Sequence, residues 1–414
     1  MSGVNVNDVT VSDVNPGTGQ PAAWTLGRAP ADYVLGHVRA VLPDTVIDDA
    51  RVVVRSGKIV AVEPHPAGSK ADADGAGLMC LPGLIDTHSD ALERERAPRP
   101  SAYLPWDFAL LSLESKVRAA GITTVFHGAG FQQKTSGNFQ RTTSAAAQLC
   151  AEVDSRISSV PPVDHRVLYR LDVRSAEGAT ALEEQLAETD GVPLVSHEDH
   201  TPGQGQYADR AHMERYLAGA DGITPEQAKK RVDELIAERS QYQPVLERNL
   251  AWLGELARAG RIRLIGHDAD SPEAIEALRE RGGSVAEFPT TLPAARKARE
   301  FGFPVVMGAP NVLRGVSHSG NVSARELIGL GLVTSLASDY LPSGLLGAAF
   351  MIAKSGWLDL PAAVGLVTSG PAEVAGLTDR GRLAPGFRAD LALVEPGGHW
   401  PVAWAVLRAA EAAA

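Results

Sequence analysis

The sequence predicts an α/β protein, a closed (β/α)8 barrel of the TIM type with a small β-sandwich domain built from both chain ends. Two observations carry this expectation. Eight short apolar runs, GLIDTH, ITTVFHG, HRVLYRLDV, VPLVSHEDH, IRLIGHD, SVAEFP, PVVMGAPN and VTSLASDY, each end in polar residues, and most precede a helical pattern such as PEAIEALRERG. Strands alternating with helices make parallel sheets, and eight units over roughly 290 residues favour a closed barrel over the alternative, a doubly wound open sheet. The second observation is β-type sequence at both ends of the chain. Val52, Val53, Val54, Ile59, Val60 and Val62 flank the turn Ser56-Gly57-Lys58, and near the C-terminus a Pro385-Gly386 turn precedes Leu391, Leu393 and Val394.

The division that follows is a loosely ordered extension over 1–30, a small β domain over 31–80 and 372–414, and the barrel over 81–371. The extension is rich in Gly, Pro, Asn, Asp and Thr with little periodic apolar content. Residues 222–260 read as a helical excursion from the barrel.

Composition removes several function classes. The 414 residues carry a formal charge of −11, which argues against a nucleic-acid partner held through phosphates. A small anionic substrate remains compatible, because a few local arginines suffice to hold phosphate. Cys80 and Cys150 lack CxxC spacing and exclude both a disulfide framework and a cysteine zinc site. A reduced cytoplasmic setting is expected, with no leader or membrane segment in view, and a homo-oligomer stays open.

The chemistry lies in where histidines and acids fall. His88 and Asp90 follow GLI, Asp172 ends LYRLDV, His200 closes LVSHEDH, His267 ends RLIGHD and Asp339 ends TSLASDY. In a barrel the C-terminal strand ends converge on one face, so these six side chains would meet. Imidazole and carboxylate donors suit zinc, manganese or iron, and a carboxylate between two ions can bridge them. Taken alone, a histidine at a strand end is more often a hydrogen-bonded structural residue; six in concert point to one or two divalent metal ions, zinc first.

The segments LPGLIDTHSDALE, HEDHTPGQGQY, AEFPTTLPAAR, VMGAPNVLRGVSHSGNVSARELI, LASDYLPSGLLGAAF and DRGRLAPGFRADLALVE resemble the PhnM-like branch of the amidohydrolase superfamily, the α-D-ribose 1-methylphosphonate 5-triphosphate diphosphatases. The resemblance runs from Tyr33 to the C-terminus. It implies hydrolysis of a phosphoanhydride in a ribose-bound triphosphate with release of pyrophosphate, and it implies His88, Asp90, Asp172, His200, His267 and Asp339 as metal ligands. Asp172 stands where the family has a bridging glutamate, and Gly205 stands where it has an arginine.

Within this frame Asp339 is the candidate proton carrier and His318 the candidate donor to a developing oxyanion. Arg314, a guanidinium suited to bidentate phosphate contact, together with Asn311 and Asn321, would hold the substrate. Glu287 would orient substrate hydroxyls or support a ligand. Arg94, Arg96 and Arg99 would add positive potential beside the first strand. His127 and His197 read as supporting or structural imidazoles. A hydrolase of amides, lactones or other C–N bonds is the second reading, and a silent scaffold the third.

Overall fold

A computed structural model describes Trp24 and residues 29–409, apart from residues 100, 137, 138, 160 and 318. Most of the expected N-terminal extension lies outside the described residues, as does His318.

Eight parallel strands, Leu84–Ser89, Ile122–Phe131, Asp164–Asp172, Leu194–Glu198, Arg263–His267, Val285–Glu287, Val305–Gly308 and Ser335–Ala337, are hydrogen-bonded in chain order. Each of the eight apolar runs has become one of them. The ring closes just beyond the last strand, where Ser89 and Asp339 form a parallel bridge. There the amide of Asp339 donates to His88 O at 2.9 Å and that of Asp90 to Asp339 O at 2.6 Å.

Strand alternation sorts the side chains. On the third strand, Leu168, Arg170 and Asp172 face the barrel interior, whereas Tyr169 and Leu171 pack into the helical layer. Leu168, Phe126, Leu194, Ile265, Val285, Val306 and Ala337 form an apolar layer inside the barrel. Polar residues flank this layer, at the C-terminal strand ends that form the site and at the opposite ends, where Thr124 and Asp164 bind Arg380. Outside, helices are fixed by caps: Thr142, Ser175, Ser271 and Thr291 accept the amides of Ala145, Gly178, Ala274 and Ala294. Each such cap contributes about 1 kcal/mol.

The small domain holds seven strands in one hydrogen-bonded sheet. Leu391–Glu395 runs antiparallel to Met79–Pro82, pairing Leu393 with Cys80, so the two ends of the chain meet as expected. Its hairpin between Val46–Arg55 and Lys58–Pro64 turns through Ser56 and Gly57, with φ of 48° and 71°. Positive φ at both central residues gives the turn a twist that matches the strands. Tyr33, Leu35, Val52, Val54, Ile59 and Leu391 make a separate core beneath this sheet.

Three helices, Arg210–Asp221, Pro225–Ser240 and Gln243–Arg258, fill the interval between the fourth and fifth barrel strands. The middle one starts with a capping box, Thr224 and Gln227 bonding each other's amides. Among the described residues no helix is long and apolar enough to cross a membrane.

Candidate metal centre and active-site cavity

A cavity of about 640 Å³ opens at the C-terminal ends of the barrel strands. His88, Asp90, Asp172, His200, His267 and Asp339 all line it, together with Asn311, Arg314 and Asn321. Six distant sequence positions thus reach one hollow because each sits at or just beyond the end of a strand.

Beneath the cavity floor lies Glu287, wholly buried at the end of the sixth strand. His267 Nδ1 hydrogen-bonds its Oε2 at 2.8 Å, and His88 Nδ1 lies 3.0 Å from its Oε1, off the line of a good hydrogen bond. Ser196 Oγ donates to Oε2 at 3.4 Å. A carboxylate on Nδ1 fixes the tautomer and leaves Nε2 as the electron-pair donor. That nitrogen of His267 lies 3.3 Å from Asp268 Oδ2, and His200 Nε2 is 3.6 Å from the same oxygen. His88 Nε2 is 3.6 Å from Asp90 Oδ1. Three overlapping groups result, each with ligand atoms within 4.8 Å of one another: His88, His267 and Glu287; His200, His267 and Asp268; His88, Asp90 and Asp339.

The donor atoms fit a cation. Glu198 Oε2, His200 Nε2 and Asp268 Oδ2 are buried without a hydrogen-bond partner, at about 1–3 kcal/mol for each group so left. Burial alone would strip the proton from His267, yet Asp268, Glu198 and Glu287 hold its pKa up at about 10. Burial would likewise raise Glu198, but Arg170, His267 and His200 bring it down to about 2. Burial, then the neighbouring Asp90, raises Asp339. A field that keeps a proton on a buried imidazole also favours a metal ion among the same nitrogen and oxygen donors. Backbone strain is concentrated here too: Asp268 and Phe288, directly after strands five and six, and Asp339, two residues beyond strand eight, have φ of 55°, 51° and 55°.

Arginines surround this ring. Asp90 receives Arg170 on Oδ1 and Arg141 on Oδ2, the latter at 3.0 Å, and Arg170 also reaches Glu198. Burial works against ionisation of Asp90, but the two guanidiniums hold its pKa well below the usual carboxylate range. Asp172 stands apart from the three groups. Its carboxylate takes two bonds of 2.9 Å from Arg239 of the helical excursion, which also binds Asp199 at 3.0 Å.

The remaining sequence candidates fall as follows. Arg314 Nη1 donates to the Tyr340 hydroxyl. Asn311 Oδ1 accepts the amide of Ala324 at 3.1 Å, and Asn321 Nδ2 donates to Gln206 O at 3.4 Å, so each braces a loop at the cavity wall. Glu287, sealed below the histidines, is placed to orient ligands rather than to meet a substrate hydroxyl. His127 is buried behind the second strand, paired with His165 at 2.9 Å, away from the cavity. Sequence reasoning passed over Glu198 and Asp268, although both stand at strand ends inside quoted motifs, LVSHEDH and RLIGHD. It also passed over Arg141, Arg170 and Arg239, which carry no local signal.

The amidohydrolase family matches residues 245–398. The α-D-ribose 1-methylphosphonate 5-triphosphate diphosphatase of Escherichia coli (strain K12) is 36% identical over 363 residues, covering 87% of this chain and 94% of its own length. This chain belongs to the PhnM-like amidohydrolases. As an amidohydrolase it is an enzyme, and a hydrolase. An imidazolonepropionase of Cereibacter sphaeroides is 25% identical across 90% of this chain and 96% of its own. Among solved structures, an enamidase of the amidohydrolase superfamily shares the fold with a TM-score of 0.56, at 19% identity over 92% of this chain and 95% of its own. The β-aspartyl dipeptidase of Fervidobacterium islandicum AW-1 does so at 0.58, with 15% identity over 91% and 95%.

Proposed function

We propose that this amidohydrolase is a metal-dependent diphosphatase that cleaves the triphosphate of a ribosyl alkylphosphonate and releases pyrophosphate, in phosphonate metabolism. The observation that carries the substrate class is the 36% identity with the Escherichia coli diphosphatase along 94% of that enzyme's length. Metal dependence rests on the clustered nitrogen and oxygen donors at the cavity, among which His200 Nε2 and Asp268 Oδ2 are buried without a hydrogen-bond partner.

His88, His200, His267, Asp268 and Asp339 would hold one or two divalent ions, zinc first with manganese or iron as alternatives, and Asp90 closes the ring beside His88. Glu198, whose Oε2 makes no hydrogen bond and lies 3.9 Å from His200 Nδ1, would add a carboxylate to this set in place of Asp172, whose oxygens are held by Arg239. Such ions supply Lewis-acid stabilisation of charge on the phosphoryl oxygens. Asp339, at the seam between the first and last strands, takes the proton of the attacking water and returns it to the leaving pyrophosphate oxygen. The water oxygen bonds to phosphorus as the anhydride P–O bond breaks. Arg314, on the cavity wall, binds phosphate oxygens. His318, outside the described residues, keeps its role as an oxyanion donor. We assign the enzyme to the cytoplasm, where its two unpaired, buried cysteines stay reduced.

A second reading, hydrolysis of an amide, lactone or other C–N bond, is favoured by the 25% identity with an imidazolonepropionase. A substrate panel separates the two. Protein reconstituted with zinc, manganese or iron is offered a triphosphorylated ribosyl phosphonate, other phosphoanhydrides and cyclic amides, and pyrophosphate, phosphate and ring opening are followed. Pyrophosphate release from the first substrate is expected. Ring opening with no phosphorus chemistry would replace the proposal with the second reading.

A further inference from the structure

Three residues on the cavity wall, carried by three different barrel loops, meet around one aromatic ring. Arg94 lies in the helix Ala91–Arg96 after the first strand, Arg314 ends the helix Ala309–Arg314 after the seventh, and Tyr340 follows Asp339 after the eighth. The guanidinium carbon of Arg94 sits 4.9 Å from the centre of the Tyr340 ring, and Arg314 Nη1 donates to the hydroxyl of the same residue. All three line the cavity. Both arginines are exposed toward solvent at its wall, and Tyr340 is half-buried between them.

We infer that Tyr340 mounts Arg94 and Arg314 as a two-guanidinium clamp for the polyphosphate end of the substrate, so that Tyr340 is a positioning residue and Arg94 a substrate-binding one. The inference rests on the diphosphatase reading and names the residues that select its substrate.

The other three arginines of the cavity are occupied differently. Arg141, Arg170 and Arg239 are bound to Asp90 and Glu93, to Asp90 and Glu198, and to Asp172 and Asp199. Their charge is neutralised and their donors are directed at protein carboxylates. Arg94 makes no ion pair with a carboxylate among the described residues; its partner is a ring face, which holds a cation without cancelling its charge. A guanidinium stacked in this way presents its outer donors in a plane, the arrangement that matches two oxygens of a phosphate.

Tyr340 adds preorganisation. Holding long arginine side chains by stacking and by a hydrogen bond removes part of the ordering cost that substrate binding would otherwise carry. Its place next to Asp339 sets the clamp one residue from the proposed proton carrier, so phosphates gripped there lie beside the reacting centre. Two guanidiniums from separate loops bracket a chain of phosphates better than a single phosphate or a neutral ring. The clamp therefore discriminates by polyphosphate length.

The test is binding of inorganic tripolyphosphate and of inorganic phosphate to zinc-loaded protein, by calorimetry, in wild type and in Arg94→Ala, Tyr340→Phe and Tyr340→Ala. Tripolyphosphate affinity should fall ~10-fold or more in Arg94→Ala, the loss expected for hydrogen bonds to charged groups. Tyr340→Ala should lose as much, Tyr340→Phe less because the stacked ring remains, and affinity for single phosphate should change far less than that for tripolyphosphate in every variant. With the phosphonate substrate, Arg94→Ala should raise KM by a larger factor than it lowers kcat, a split that loss of fold or metal would not produce. Should Tyr340→Ala misfold, Arg94→Ala and Tyr340→Phe carry the comparison. Wild-type protein that binds tripolyphosphate, with Arg94→Ala binding it equally well, would overturn the clamp and leave the diphosphatase reading standing. Wild-type protein that does not bind tripolyphosphate would overturn both.

Discussion

Replacing Glu287 by glutamine keeps the shape of a buried side chain and reverses half of its hydrogen bonding. Glu287 offers two acceptor oxygens, one to His267 Nδ1 at 2.8 Å and one facing His88 Nδ1 at 3.0 Å. Glutamine offers one acceptor and one NH2 group. Whichever histidine faces the NH2 must present a bare Nδ1, which moves its proton to Nε2 and removes that nitrogen from the metal-binding set. Mutations of groups that orient metal-bound histidines typically weaken binding ~10–100-fold, equivalent to about 1.4–2.8 kcal/mol. Because both candidate ligands face this one carboxylate, and Glu287 is wholly buried from bulk solvent, we expect the upper half of that range. The assay is zinc titration against a competing chelator, with thermal unfolding of the loaded protein as a check on folding. Retention of wild-type zinc affinity by a folded Glu287→Gln protein would refute the view that Glu287 sets the two imidazoles.

Three further outcomes follow from the same geometry. Asp339→Asn should lower kcat by at least ~100-fold, the usual contribution of a general acid-base group, with zinc content measured in parallel; a near wild-type rate removes Asp339 as proton carrier. Asp86 is buried and accepts the amide and hydroxyl of Ser338 at 3.0 and 2.5 Å, which pins the strained Asp339 beside the first strand. Asp86→Ala should cost ~1–3 kcal/mol for each donor left unpaired, read from urea unfolding, and depress kcat as Asp339 drifts; unchanged stability would contradict the seam. Burial, then the neighbouring His165, holds His127 well below the ordinary histidine value of about 6.5. The unfolded chain therefore binds a proton that the folded one refuses, so stability should fall as pH drops below about 6.5, by up to ~1.4 kcal/mol per pH unit for this group. His127→Gln should flatten that part of the urea midpoint profile, and an unaltered slope would exonerate His127.

The eight strands were legible because each pairs a β-branched or aliphatic run with a polar stop, a pattern that parallel barrels impose locally. The histidines were legible for the same reason: a strand end tells where a residue points. Glu198 and Asp268 sat in those same motifs and were hidden by their more conspicuous neighbours His200 and His267. What could not be read is pairing across the barrel. Arg170 lies 80 positions from Asp90 and Arg239 lies 67 from Asp172, and neither bond has a periodicity or a spacing to announce it. Asp172 shows the consequence. Its place at a strand end is correct, and only the three-dimensional arrangement reveals that Arg239, arriving from a helix between two later strands, binds its carboxylate. Glu287 likewise needed depth: a sequence places it at a strand end and does not tell whether it faces the cavity or lies below its floor.

On the proposed function, divalent ions occupy the ring formed by His88, His200, His267, Asp268 and Asp339. Anomalous X-ray scattering at the zinc edge, from crystals of zinc-loaded protein, addresses it directly. One or two strong peaks are expected within bonding distance of the imidazoles of His88, His200 and His267, close to Asp339. Peaks elsewhere on the molecule, or no peak in a ring whose donor atoms keep the positions described above, would contradict it.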